Sequence, residues 1–392
     1  MVSVLVVDDS VVVRRLIQDA LSGLPDITVV GTAANGRLAV ERVEQLRPDV
    51  VTMDIEMPVM NGIDAVRELR RRHQRVPVIM FSTLTAAGAT ATLDALAAGA
   101  SDYVTKPSNT GSVVASIEAV REQLVPRIRA LCARRTAGSG RPAPGAPRPA
   151  GSPPSPARPG ISAAMRTRPQ VDPRPAPPRA PTATPRPVPT GRIDVLAVGC
   201  STGGPEALAA VLGALPGALA VPVVVVQHMP PLFTKMFADR LDRTLPLSVH
   251  EASDGRPLLP GHVYIAPGDR HLTVVRSGVE VVTRLTGSPP ENSCRPAVDV
   301  LFRSVAQAYG RSALAAVLTG MGHDGREGAR TMRAAGAAIV AQDEPTSVVW
   351  GMPGAVVGAA LADVVLPIDR IGPHLAARAA GGRAPSRIAV SR

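Results

Sequence analysis

Short apolar runs rich in Val, Ile and Ala recur along the chain, each followed by a stretch in which apolar residues return every three or four positions. A run without polar interruption fits a strand buried on both faces, and the longer period fits an amphipathic helix. Their alternation predicts βα units and a mostly parallel sheet. It does so twice. In the first part, strands are expected near 2–7, 28–31, 49–53, 77–81 and 100–104, enough for a flavodoxin-like domain with a five-stranded parallel sheet. Beyond residue 191, strands are expected near 193–198, 221–227, 262–266, 313–318, 337–341 and 363–366, a doubly wound α/β unit.

Between the two units the pattern stops. Residues 131–190, including "SGRPAPGAPRPAGSPPSPARPG" and "PRPAPPRAPTATPRPVPTG", contain almost no large apolar side chain and are rich in Pro, Ala and Arg. Such a segment cannot bury enough surface to offset the entropy of ordering, so a disordered, partly polyproline II tether is expected. The expected domains are then 1–130 and 191–380, with a loose tail at 381–392.

Length agrees with two domains plus connecting material, at 392 residues. The net charge of +11 first suggests nucleic acid. Its location argues otherwise, because ten arginines stand against Asp172 alone between Leu131 and Gly191. No aromatic residues interleave with them to stack bases, so the segment reads as a solvated spacer and no specific nucleic acid is expected. Cys132, Cys200 and Cys294 are too few and too scattered for a disulfide framework or a metal-ligand pattern. The first apolar run lacks a basic leader and stops at Asp8, and no apolar stretch approaches the roughly 18 residues of a membrane span. A cytoplasmic protein without membrane insertion is expected.

Open parallel sheets carry their chemistry at the carboxyl ends of strands. In the first unit these ends hold Asp8, Asp9, Asp54, Ser82 and Lys106. Three carboxylates in one small volume repel unless a cation joins them, and Lys106 and a hard divalent ion such as Mg²⁺ are the natural partners. The segments "VVDDS", "MDIEMPVMNG", "FST" and "VTKP", in this order and spacing, resemble a response-regulator receiver domain. The resemblance implies that Asp54 accepts a phosphoryl group from a histidine kinase, that Asp8 and Asp9 with Asp54 hold Mg²⁺, and that Lys106 contacts the phosphate. Ser82 and Tyr103 then occupy the switch positions.

In the second unit, Gly199–Gly203 reads G-x-S-x-G between a strand and a helix, with Ser201 at its centre. That turn suits a raised nucleophile, a phosphate cradle or simply a tight corner. What ends the neighbouring strands favours the first. His228 follows "VVVVQ" and Asp324 lies in a glycine-rich turn after "LAAVL", which supplies a base for the serine and a carboxylate to orient it. His323 is a rival base, and His73, His250, His262, His271 and His374 read as surface or hydrogen-bonded positions. Cys200 is a rival nucleophile, though a buried small thiol is the commoner fate.

The segments "GCSTGGPEAL", "QHMPPLFTKMFADRL", "RPAVDVLF", "LTGMGHDGREGA" and "DEPTSVVWGMP" resemble the catalytic domain of chemotaxis protein-glutamate methylesterases. The resemblance implies a Ser201 nucleophile, a His228 base, an Asp324 orienter, and an oxyanion hole of backbone amides near Thr202 and Met321. It implies hydrolysis, without a cofactor, of γ-glutamyl methyl esters, and of glutamines, on cytoplasmic helices of chemoreceptors. One departure is "NSCRPAVD", where relatives often carry His and Ser around the Arg-Pro pair, so substrate contacts near Cys294–Ala297 are expected to differ. Two other outputs compete: a non-catalytic nucleotide-binding domain gated by phosphorylation, and a DNA-binding domain, for which no helix-turn-helix pattern exists.

Overall fold

The computed structural model describes residues 1–107, 112–137 and 191–381. Most of the expected tether and nearly all of the expected tail lie outside these residues.

The first unit has strands β1 (Val2–Val7), β2 (Ile27–Ala33), β3 (Val50–Asp54), β4 (Val78–Ser82) and β5 (Asp102–Thr105). All pair in parallel in the order β2-β1-β3-β4-β5. Helices cover both faces, which is why β3 and β4 are buried at every position and read as unbroken apolar runs. Strand order reverses between β1 and β3, so Asp8 and Asp54 flank the crevice where such sheets bind ligands.

The helices start where the sequence offers capping side chains. Ser10, Asn35, Asn61 and Thr85 each accept a hydrogen bond from the backbone N–H three residues on. The last helix of this unit, Val113–Ala137, runs past the expected boundary at 130, and Leu131 and Cys132 are buried.

The second unit contains β6 (Val195–Cys200), β7 (Val223–Gln227), β8 (Ser248–Glu251), β9 (His262–Ile265), β10 (His271–Ser277), β11 (Glu280–Thr286), β12 (Ala313–Val317), β13 (Ala338–Gln342) and β14 (Val364–Leu366). Seven of them form a parallel sheet ordered β14-β13-β12-β6-β7-β9-β8, while β10 and β11 make a separate antiparallel hairpin. β8, β10 and β11 are additions to the strands expected from sequence. The four central strands are buried throughout. Each fully buried Val or Leu there contributes roughly 1.5–3 kcal/mol, so this core fixes the carboxyl ends of β6, β7 and β12 firmly. The chain changes direction between β6 and β12, which puts the turn after β6 at the switch point.

The units touch. Helix Ala86–Ala97 of the first packs against helices Gly204–Gly213 and Phe233–Thr244 of the second. Tyr103 stacks on Phe233 with ring centroids 4.9 Å apart and planes 2° from parallel. Arg240 pairs with Asp94 across the same seam.

Candidate active site

The turn after β6 is shaped by small residues. Gly203 has a left-handed φ of +73°, and a Cβ there would come within 2.6 Å of Val348. At Gly204 a Cβ would lie 2.0 Å from Gln227 Oε1, so the helix Gly204–Gly213 can begin close against β7 only without a side chain. The turn is also tied down. Ser201 N donates to Thr319 O at 3.0 Å, Gln227 Nε2 donates to Ser201 O at 3.0 Å, and Thr319 Oγ1 donates to Thr202 O at 2.9 Å. Ser201 therefore stands on a fixed backbone at the edge of a cavity of about 510 Å³. Its hydroxyl makes no hydrogen bond among the described residues, and the amides of Thr202 and Met321 donate to no backbone acceptor there.

His228 follows β7 and lines the same cavity. Its Nε2 is 2.8 Å from Asp324 Oδ2, and its Nδ1 faces the sulfur of Cys294 at 3.5 Å. Asp324 is buried and saturated. It accepts from the backbone N–H of Val298 at 2.6 Å, Asp299 at 3.0 Å and Gly325 at 2.9 Å, and from Asn292 Nδ2 at 3.0 Å. Burial alone would raise its pKa, but the His228 contact and these N–H donors hold the carboxyl below its usual range. For His228, burial works downward, yet the bonds to Asp324 and Cys294 outweigh it and push the imidazole up to about 10.

The rivals separate from this site. His323 is exposed, and His271 is spent on Pro289 O and the Ala297 amide. Burial pushes the Cys200 thiol far up, and its sulfur turns to Val226 O. Asn292 bridges Asp299 and Asp324, a contact that sequence reading missed. No local pattern announces it, because its partners lie on a helix and a turn downstream.

In the first unit, Lys106 Nζ lies 2.8 Å from Asp54 Oδ1 and 3.3 Å from Asp8 Oδ2. Burial raises Asp54 to about 6; the nearby Asp8 adds to that and Lys106 opposes both. Ligand oxygens of Asp8, Asp9 and Asp54 lie within 4.8 Å of one another, and among the described residues the buried Asp8 Oδ2 has only the Lys106 ammonium beside it. An all-oxygen donor set, with carboxylates that one lysine does not neutralise, fits a hard divalent cation. Ser82 Oγ accepts from Thr92 Oγ1 at 2.6 Å and donates to Gly88 O at 3.2 Å, which ties the end of β4 to helix Ala86–Ala97. Tyr103, one residue past Asp102, is the ring stacked on Phe233.

The first unit walls the cavity of the second. Leu96, Asp102, Tyr103, Thr105, Gln123 and Arg127 face Ser201 and His228 across it. Asp102 Oδ2 accepts from Thr202 Oγ1 at 2.7 Å, one residue from the serine, and lies 3.2 Å from Arg127 Nε.

A unit that carries an acidic pocket at one edge of its sheet and docks a different face over a serine-bearing cleft in the second unit defines a response regulator with an enzymatic output unit. Residues 4–118 match the response regulator receiver domain model, and residues 196–375 match the CheB methylesterase model. A protein-glutamate methylesterase/protein-glutamine glutaminase of a Nocardioides species is 56% identical over 97% of this chain and 96% of its own. Its counterpart in Trichodesmium erythraeum is 41% identical, over 96% and 98% respectively. A group 2 operon enzyme of the same name from Rhodospirillum centenum is 45% identical, over 95% and 92%. The chain belongs to the CheB methylesterase family, with a receiver domain ahead of the methylesterase domain. Among the described residues no helix is long and apolar enough to cross a membrane.

Proposed function

We propose that this protein is a phosphorylation-regulated protein-glutamate methylesterase and protein-glutamine glutaminase in which Ser201, His228 and Asp324 carry the hydrolysis. The receiver unit extends to the end of the helix at Ala137, and the catalytic unit covers 191–380. The observation that carries the reading is the His228–Asp324 pair at 2.8 Å, with His228 lining one cavity together with a serine on a rigid turn.

Because Asp324 engages Nε2, Nδ1 is the ring nitrogen left to take the Ser201 proton, the reverse of the ring usage in chymotrypsin-type triads. Ser201 Oγ attacks the γ-carbonyl of a glutamyl methyl ester, and the carbonyl electrons move onto oxygen, where the free amides of Thr202 and Met321 receive the charge. The C–O bond to methoxide then breaks, and the proton held by His228 passes to the leaving group, giving methanol. Water, deprotonated by the same nitrogen, frees the glutamate from Ser201. A glutamine follows the same path and releases ammonia. The substrates are glutamyl side chains on cytoplasmic helices of chemoreceptors, which the cleft meets once the receiver has moved.

Asp8, Asp9 and Asp54 would hold Mg²⁺, which when bound supplies charge neutralisation for phosphoryl transfer to Asp54 from a histidine kinase. Lys106, paired with Asp54 at 2.8 Å, would contact the phosphoryl oxygens. Ser82 reaches the phosphoryl group only by releasing Thr92 and Gly88 O on the helix that packs against the catalytic unit. Tyr103 couples in the same way through Phe233. Phosphorylation opens the cleft to the extent that it favours the undocked over the docked arrangement.

The test is methanol release from methylated receptor. Replacing Ser201 by Ala should lower turnover on the order of 10⁴- to 10⁶-fold. A variant that keeps wild-type turnover removes the serine mechanism.

A further inference from the structure

Cys294 lines the cavity beside Ser201 and His228, and its sulfur sits on Nδ1 at 3.5 Å. Since Nε2 is committed to Asp324, the thiol occupies the one ring nitrogen that proton abstraction needs, while the Ser201 hydroxyl has no hydrogen-bond partner among the described residues. The loop that presents Cys294 is braced. Glu291 and Cys294 exchange backbone hydrogen bonds of 3.0 and 2.9 Å, Asn292 and Ser293 adopt left-handed φ of 52° and 61°, and the Asn292 amide binds Asp299 and Asp324. One loop thus fixes both the carboxylate behind the imidazole and the sulfur in front of it. The other two cysteines, Cys132 and Cys200, are buried, and the Cys200 sulfur turns to Val226 O.

We propose that Cys294 is a positioning residue for the hydrolysis: in the resting enzyme its sulfur holds His228 Nδ1, and Ser201 must displace it there before it can be deprotonated. The proposal rests on the assignment of Ser201, His228 and Asp324 made above. The thiol S–H can donate to Nδ1, which keeps the ring in register with Asp324 while that nitrogen is occupied. When the thiol gives way it keeps its proton, and Nδ1 is free to take the proton of Ser201. Hydrogen bonds to sulfur are weak, so exchange for the serine costs little once substrate fills the cleft.

The experiment uses the full-length protein. Iodoacetamide labelling of Cys294 at pH 7, followed by peptide mass, is compared in wild type, His228→Gln and Ser201→Ala, and methanol release is measured for Cys294→Ala and Cys294→Ser. Labelling should be about tenfold faster in wild type than in His228→Gln, because Nδ1, in contact with the sulfur, takes the thiol proton as the sulfur is alkylated, and unchanged or faster in Ser201→Ala. Cys294→Ala should raise kcat about threefold at unchanged KM, and Cys294→Ser, which restores a partner for Nδ1, should return it toward wild type. Equal labelling with and without His228, or a Cys294→Ala kcat at or below wild type, overturns the positioning role. Ser201→Ala separates the two ideas: full hydrolysis without the serine defeats the catalytic assignment, whereas an inactive Ser201→Ala with His228-independent labelling defeats only the role of Cys294.

Discussion

Replacing Asp102 by Ala probes how the receiver holds the cleft shut without touching the groups that react. Asp102 and Thr202 are both buried, and the 2.7 Å bond from Thr202 Oγ1 is the side-chain hydrogen bond that reaches from the receiver to the turn bearing Ser201. A hydrogen bond to a carboxylate contributes about 1.5–3 kcal/mol, and its loss leaves the buried Thr202 hydroxyl without its acceptor. The neighbouring Arg127 contact lies within the receiver and does not bridge the two units. At about 1.4 kcal/mol per factor of ten, the docked-to-undocked ratio should fall roughly 10- to 150-fold. Methanol release by the unphosphorylated full-length variant should therefore rise at least about tenfold, while release after treatment with a small-molecule phosphodonor should match wild type. A folded variant whose unphosphorylated activity stays at the wild-type level would refute the reasoning, because the bond could not then be holding the units together.

Replacing Asp54 by Asn should leave unphosphorylated activity in place and abolish the response to a phosphodonor, read as methanol release before and after treatment. The titration of His228 makes a second prediction. Its folded pKa is raised from about 6.5 to about 10, so the stabilisation it contributes is complete below about 6.5 and is lost as pH rises through about 10. The full shift corresponds to at most about 5 kcal/mol, so thermal midpoints should fall more steeply between pH 7 and 10 for wild type than for His228→Gln. Parallel slopes would mean that the imidazole is not held charged in the fold.

Much of this architecture is written in the sequence because fully buried parallel strands leave uninterrupted apolar runs. β3, β4, β6, β7, β12 and β13 are of that kind, buried at every position. β8 is a four-residue edge strand with exposed Ser248 and His250, too short and too polar to stand out. The β10–β11 hairpin carries a signal, in the alternation around Ser277-Gly278, but it is an antiparallel pair outside the βα rhythm of the rest of the unit. The helix beyond residue 130 was hidden by composition. Its Ala- and Arg-rich end resembles the tether, yet Leu131 and Cys132 pack into the receiver core.

The candidate site divides in the same way. Ser201, His228 and Asp324 could be picked out because each follows a strand whose end is fixed by topology. Which imidazole nitrogen faces Asp324 is set by packing around His228, and the Asn292 bridge and the Cys294 contact by a loop of unusual backbone between β11 and the next helix; none of these has a one-dimensional signature.

The central claim is that one hydroxyl, that of Ser201, is made nucleophilic by the imidazole after β7. Treatment of the phosphorylated full-length protein with a fluorophosphonate, followed by peptide mass analysis, addresses it directly. The account predicts a single stoichiometric adduct on Ser201, lost in His228→Gln. An adduct on Cys294, or labelling of Ser201 that is indifferent to His228, would contradict it.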